Sequence, residues 1–565
     1  MTSSTQHNSH RILNATTIVA AVILLAVVIW VSDRAIDITD EAYYILSGAH
    51  PNTITAYISA QHWALAPLWN LSGTLQHFRL VGTATLIASI TLLAYGSYRV
   101  ATQQALLCKT PLLIVALAAA GSIGALLYVA TILPSPSYNL LASAGGYAAL
   151  GLAFISATSQ SRRLDVICGT LCGVALAITF INKPSASVCC ALLACIAIVT
   201  LGDRRRIWVP ITAGVVGGSS FLGAMVAFNW QNGAMIEHLQ TGFTLFRQVQ
   251  TEPIAVRLWR YCGTMVQSAI LSLAWFAPAL ALSLRMLWAP RRWMPTAIVA
   301  LALSAIVYGE HYLGGRTQYQ QQIQALFALL IMTLLVTFHV WSSRRQAASL
   351  VLLLVCLPYA VAMGTGNSMF TQVIVTAGSW PLLVLLLANG RTNIPSARTT
   401  AQGLALVMMT LIVVQVLSSF GRDPYHLAQP IFAQSELTEV PVLGAVRVDL
   451  ETRQMLTALE VARDNCKIAP GASFFGLYNV PGLALLINAV PPISPWITNP
   501  QQLATLFTGW KPSGRTVLAL SAEAQISRGG LPDILQPIEE KYAFCGTLIV
   551  PFSNETIEIW ASKLE

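Results

Sequence analysis

The sequence predicts a polytopic α-helical membrane protein of about thirteen spans followed by a C-terminal α/β domain. Three observations carry that expectation. Hydrophobic residues make up 55% of the 565 and mean hydropathy is +0.63, above the roughly 45–50% apolar content of a soluble domain. The apolar residues gather in uncharged runs, many close to the roughly 20 residues that cross a bilayer as a helix. Lys and Arg fall largely in short clusters between those runs, as membrane topology requires.

The first run, residues 12–31, is uncharged. It is too long for a signal peptide, and no small-residue cleavage site follows it. Further apolar runs lie near 78–98, 111–133, 138–159, 164–181, 185–201 and 207–228. The series continues near 263–288, 294–308, 323–342, 348–363, 369–389 and 401–419. Arg99 with Lys109, Arg162-Arg163, Arg204-Arg205-Arg206, Arg291-Arg292, Arg344-Arg345, and Arg391 with Arg398 occupy every second connection. The positive-inside rule places these clusters and the N-terminus with Arg11 in the cytoplasm. The scattered Arg247, Arg257 and Arg260 then lie outside, against the trend.

An odd number of spans puts residues 421–565 outside, apart from the membrane domain of residues 1–420. This C-terminal part alternates a helical stretch, Glu451–Arg463, with strand-like ones at Ala472–Tyr478, Thr516–Leu520 and Thr547–Phe552. Neither a nucleotide-binding loop nor a hydrolase nucleophile elbow occurs in it. Cys466 and Cys545 lie here and can form a disulfide in an oxidising compartment. Six of the ten cysteines lie in apolar runs and read as small buried hydrophobes. The formal charge of +9 comes without the basic stripes and interleaved aromatics that nucleic acid demands, so no nucleic-acid partner is expected. Compact loops favour a bacterial inner membrane.

The connections left on the outer side hold the unusual polar chemistry. The first, residues 33–77, opens with Asp33, Asp37, Asp40 and Glu41 in a chain only 10% charged. Asp40 can serve as a base toward a hydroxyl nucleophile. Alternatively, Thr39 or Asp40 caps a helix beginning near Glu41. Tyr43, Tyr44, Tyr57, Trp63 and Trp69 suit short interfacial helices, as a belt anchor or as a substrate-stacking surface. Lys183, at the outer end of its run, is either a snorkelling lysine or an anion ligand. Glu310, His311, Arg316 and Tyr319 precede a later span, and Asn367 sits in Gly-Thr-Gly-Asn, as a turn or a sugar-binding amide. No spacing among these residues is diagnostic for zinc or calcium; no cofactor is expected, although a divalent cation is possible.

An early outer loop opening with Asp40-Glu41 and an aromatic, in a many-span chain ending in an outer soluble domain, resembles the GT-C glycosyltransferases. Within that class it is similar to the protein O-mannosyltransferases and the lipid A aminoarabinose transferases, over about residues 10–420. The resemblance implies a sugar donor carried on a polyprenyl phosphate and an acceptor glycan, lipid or protein of the cell envelope. It implies Asp40 as catalytic base and Glu41 as an orienting acid. The Arg316-x-x-Tyr319 element resembles a basic and aromatic motif of the aminoarabinose branch, where Arg usually stands directly beside Tyr. On this reading Lys183, Arg316 and His311 bind the donor phosphate, while Tyr43, Tyr44, Glu310, Tyr319 and Asn367 contact substrate. The rival classes are a lipid-linked-saccharide transporter or flippase and a polysaccharide polymerase or ligase. Charge-free spans and polar groups on one face disfavour a transport path.

Overall fold

The computed structural model describes the chain except residues 1–2, 108–109, 132, 231–232, 250–251, 314–317, 365–368, 423–424, 508–509, 511–513, 523, 525–534 and 564–565. The side chains of 3–8, 249, 310–313, 318–321 and 370–371 also lie outside the description. Among the described residues, nine helices are long and apolar enough to span a membrane. They include α1 (Ser3–Trp30), α4 (Leu75–Gln103), α5 (Pro111–Ala125, with its 3-10 extension to Ala130), α6 (Tyr138–Ala157) and α7 (Arg162–Asn182). The others are α8 (Pro184–Leu201), α9 (Trp208–Asn229), α16 (Arg345–Ala362) and α19 (Pro395–Gly421).

The remaining expected spans are irregular. α11 (Ile254–Trp275) and α12 (Ala277–Met286) form one apolar stretch bent by 79°; a proline in the first turn of α12 suits a new helix start. α13 (Met294–Leu313) and α14 (Gln318–Val336) contain shorter apolar stretches; α10 (Met235–Val249) precedes the bent pair, and the single turn α15 (Phe338–Trp341) follows α14. The run at 369–389 divides into α17 (Met369–Ile374) and α18 (Ser379–Ala388). The break is pinned by Tyr147, whose hydroxyl donates to the Thr376 carbonyl at 2.7 Å and accepts from the Gly378 amide at 3.1 Å. Backbone groups freed at a break inside the membrane need such partners. Length alone therefore supports nine spans, ten with the bent pair, and the other three are short.

α6 is the central helix, with nearly every residue buried. α7 and α9 cross at a seam of glycines, where a Cβ on Gly173 would run into the Gly214 carbonyl; small residues let two backbones approach this closely. Arg79 and Arg99 lie toward opposite ends of α4. At the Arg99 end, that side chain bonds the Thr158 carbonyl, Arg206 bonds that of Gln160, and the Arg391 amide bonds that of Leu106. Four basic connections thus meet at one end of the bundle, and the acid-bearing loop sits at the other.

That loop folds into two short helices, α2 (Asp40–Ala49) and α3 (Gln61–Ser72). All six described strands follow the last span: β1 (Glu436–Val440) and β2 (Gly444–Val448) as a hairpin, then β3 (Ser473–Leu477), β4 (Thr516–Leu520), β5 (Tyr542–Val550) and β6 (Glu555–Ser562). The second sheet runs β3-β4-β6-β5, with β3 and β4 parallel and the other pairs antiparallel. β4 is buried throughout, which explains its unbroken apolar run, Thr-Val-Leu-Ala-Leu. α20 (Leu450–Asn465) packs on β5, and a disulfide joins Cys466, just past its end, to Cys545.

Candidate active site

The acid cluster does not act as a cluster: its four carboxylates are directed to four different partners. Asp33 pairs with Arg447 of β2 at 3.1 Å, and the two residues also share a backbone hydrogen bond at 2.8 Å. This contact, with the Ala35 amide bonded to the Arg447 carbonyl at 2.7 Å, ties the C-terminal sheet region to the first loop.

Asp37 is fully buried and caps α2. Its carboxylate accepts from the Thr39 amide at 2.8 Å, the Thr39 hydroxyl at 2.6 Å and the Glu41 amide at 3.2 Å. Thr39 occupies the N-cap position without a side-chain cap bond of its own, and Asp40 is the first helical residue. The capping role anticipated for Thr39 or Asp40 therefore belongs to Asp37, three residues upstream of the helix start. A carboxylate near the amides of a helix N-terminus satisfies donors that have no partner within the helix. Burial raises the Asp37 pKa to about 7, against the opposing effect of the Thr39 bonds; the Asp40 and Glu41 charges push in the same direction as burial.

A raised folded-state pKa means that the folded protein holds the proton more tightly than the unfolded chain. The Asp37 contribution to stability is then fullest below the ordinary carboxylate range and declines as pH rises toward about 7. Thermal midpoints between pH 4 and 8 should fall along this window in the wild type. The slope should flatten in Asp37→Asn, and an unchanged slope would assign the pH dependence elsewhere.

Glu41 is 1% exposed and forms a two-pronged ion pair with Arg79, equally buried, at 2.7 and 2.6 Å. Ser135 donates to the same carboxylate at 2.5 Å. The Arg79 guanidinium also donates to the carbonyls of Ser32, Arg34 and Ala35. Both Glu41 oxygens are committed to these partners. Glu41, expected to orient the acceptor or a cation, instead holds the loop to α4; no reacting group can reach it without breaking the pair.

Asp40 alone remains available. It is partly exposed, and its Oδ2 accepts from the Tyr425 hydroxyl at 2.5 Å. Burial and the neighbouring Asp40 charge raise the Tyr425 pKa, keeping that hydroxyl a donor. Around Asp40 stands an aromatic wall: Tyr43 against Tyr44 at 5.6 Å and Trp496 at 5.3 Å, and Tyr44 edge-on to Tyr138 at 6.1 Å. Trp496 belongs to the C-terminal region, as does Gly482, whose amide bonds the Ile38 carbonyl at 2.9 Å. A side chain at Gly482 would collide with the Ile38 backbone and the Ala42 side chain, so only glycine fits there.

Lys183 sits between α7 and α8, 4% exposed, its Nζ donating to Asn139 Oδ1 at 3.3 Å. Burial lowers its pKa to about 8, which leaves the ammonium mostly protonated at neutral pH. No carboxylate lies within ion-pairing distance of it among the described residues. Asn139 follows Tyr138, which lies within reach of the Asp40 charge. Asp40 and Lys183 are thus linked through adjoining residues at one end of the bundle.

Other expected site residues are placed differently. Arg316 and Asn367 lie outside the described residues, as do the side chains of Glu310, His311 and Tyr319, although these three have helical backbones. Arg260 pairs with Glu252 at 3.0 Å on the surface, in keeping with a solvated face. Among the described residues no group of three or more His, Cys, Asp or Glu is arranged to hold a metal ion. Tyr425 and His426 were not anticipated. The available signal was their position, a polar aromatic pair just past the last span.

No family model matches the sequence, and no curated protein matches it. Solved structures do resemble the fold over nearly the whole chain. ArnT from Cupriavidus metallidurans in the apo state has a TM-score of 0.42 at 13% identity, covering 96% of this chain and 97% of that one. The same protein bound to undecaprenyl phosphate gives 0.39 at 12%, covering 96% and 98%. The arabinofuranosyltransferase AftD from Mycobacteria gives 0.38 at 12%, covering 98% of this chain and 40% of that one. At such scores the functional reading rests on the site's own chemistry.

Proposed function

We propose that this protein is an integral-membrane glycosyltransferase of GT-C type, which moves a sugar from a polyprenyl-phosphate carrier to an acceptor outside the cytoplasm. The observation that carries this reading is the state of Asp40 and Lys183, neither of them ion-paired among the described residues. One is a carboxylate whose only hydrogen bond among the described residues comes from a tyrosine hydroxyl. The other is a buried ammonium with no carboxylate partner among them. The first suits proton removal, and the second suits a phosphate.

Asp40 takes the proton of the acceptor hydroxyl as its oxygen attacks the anomeric carbon. The carbon–phosphate-oxygen bond breaks on the opposite face, so configuration inverts. The departing polyprenyl phosphate keeps the bonding electron pair and is stabilised by Lys183, with Arg316 the second expected ligand. A phosphate acceptor would need no base, and Asp40 would then position it. The Cys466–Cys545 disulfide favours an oxidising compartment for the domain-bearing face, in agreement with the charge rule for the opposite end.

Purified protein in lipid vesicles, given polyprenyl-phosphate-linked sugars labelled in the sugar, tests this. Consumption of the donor with inversion at the anomeric carbon is the expected result. Movement of intact lipid-linked sugar across the vesicle without cleavage would identify a transporter instead.

A further inference from the structure

We propose that His426 is the residue through which the proton taken by Asp40 leaves the site for the surrounding water. The proposal rests on Asp40 acting as the acceptor base. It goes beyond that reading by naming a second proton acceptor.

Beyond the last span the chain returns over the acid cluster. The His426 ring stacks on Tyr425, the partner of Asp40, with centroids 3.9 Å apart. On its other side lies Phe552, from the turn between β5 and β6, at 5.2 Å and an angle of 21°. The imidazole is therefore held in one plane between the first loop's tyrosine partner and the C-terminal sheet region.

Its Nδ1 lies 2.6 Å from the Thr39 hydroxyl, and that hydroxyl donates its proton to Asp37 at 2.6 Å. With Asp37 ionised, Nδ1 is then the donor, which leaves the lone pair on Nε2. An imidazole oriented by a carboxylate, here through one hydroxyl, is set to accept a proton at its other nitrogen. No hydrogen-bond partner occupies Nε2 among the described residues, and the side chain is 35% exposed. His426 also adopts φ +51°, a left-handed backbone that is strained for a residue with a Cβ. Such strain persists where surrounding contacts impose it, and it clusters at functional sites.

Among the described residues, the titratable groups facing the ring are Asp37 and Asp40, from before and within α2, and Tyr425 beside it; Phe552 contributes only apolar surface. In the step, the proton on Asp40, taken from the acceptor hydroxyl, passes through a water molecule to His426 Nε2. The resulting imidazolium is stabilised by Asp37, 3.9 Å from Nδ1. It then releases the proton to bulk water, restoring the lone pair. No electron changes hands.

The full-length protein in vesicles tests this in two ways. With enzyme in excess over donor, His426→Gln should complete its first turnover at close to the wild-type rate, because Asp40 still accepts the proton. Steady-state turnover should fall roughly 10²-fold, the scale of a lost acid–base group. His426→Gly, suited to the left-handed backbone, should regain turnover with added imidazole. Equal losses in both regimes without imidazole rescue would make His426 a structural residue, and no loss in either would remove it from the reaction. Independently of transfer, histidine ¹⁵N spectra, with His426→Gln assigning the signal, should show neutral His426 protonated at Nδ1 and should lose that preference in Thr39→Val. If the wild type transfers no sugar, the glycosyltransferase reading falls. A neutral ring protonated at Nε2 would overturn the relay whatever the transfer assay shows.

Discussion

Asp40→Asn should lower the rate of sugar transfer about 10²–10⁴-fold, the range a positioned acid–base group contributes, while leaving the thermal midpoint close to that of the wild type. The two halves of this expectation have separate causes. The asparagine side-chain oxygen can still accept from Tyr425, so the 2.5 Å contact survives, but a neutral amide cannot take the acceptor's proton. Stability is spared because Asp37, not Asp40, caps α2. Asparagine caps a helix as well as aspartate does, so Asp40→Ala carries the test of the cap: were Asp40 the cap, that variant would lose about 0.5–2 kcal/mol of stability, while Asp40→Asn would keep full turnover. Rates of donor consumption and thermal midpoints, measured on the same preparation, separate the two roles. Full activity in Asp40→Asn would sink the base assignment and would leave a positioning role at most.

Glu41→Gln should have the opposite signature, a large loss of stability. Glu41 and Arg79 are each 1% exposed and in contact at 2.6 Å, so removing one charge leaves the other buried without compensation. Breaking such a pair costs about 3–5 kcal/mol. Arg79 also bonds three carbonyls of residues 32–35, so Arg79→Met should be at least as damaging. Because the penalty comes from the surviving charge, Glu41→Gln combined with Arg79→Met should destabilise less than the sum of the two single changes. Thermal midpoints of the four proteins complete the cycle. Strict additivity would show that the pair is not coupled.

These two neighbours show how far sequence reading reaches. Asp40 and Glu41 are adjacent and chemically alike, and nothing local separates a base from a structural ion pair. Their fates are set by Arg79, Ser135 and Tyr425, the last 385 positions away in the chain. The aromatic wall depends equally on Trp496 from the C-terminal region. Lys183 was legible as a lysine at the end of an apolar run, but its burial against Asn139 was not.

Spans were legible for the converse reason. A segment crossing hydrocarbon must be apolar along its own length and must satisfy its backbone internally, so the signal is local and each expected span corresponds to a helix or a helix pair. Breaks were not legible. The bend between α11 and α12 and the division of 369–389 into α17 and α18 leave composition unchanged, and their backbone groups find partners such as Tyr147 from another helix.

A many-span helical build, the end of the bundle that carries the acids, and a mixed C-terminal region are all legible in the residues taken in order. Those properties are sums over neighbouring residues. Which acid caps, which pairs and which stays free is set by the folded arrangement, because a carboxylate's availability depends on partners brought from distant parts of the chain into one buried volume.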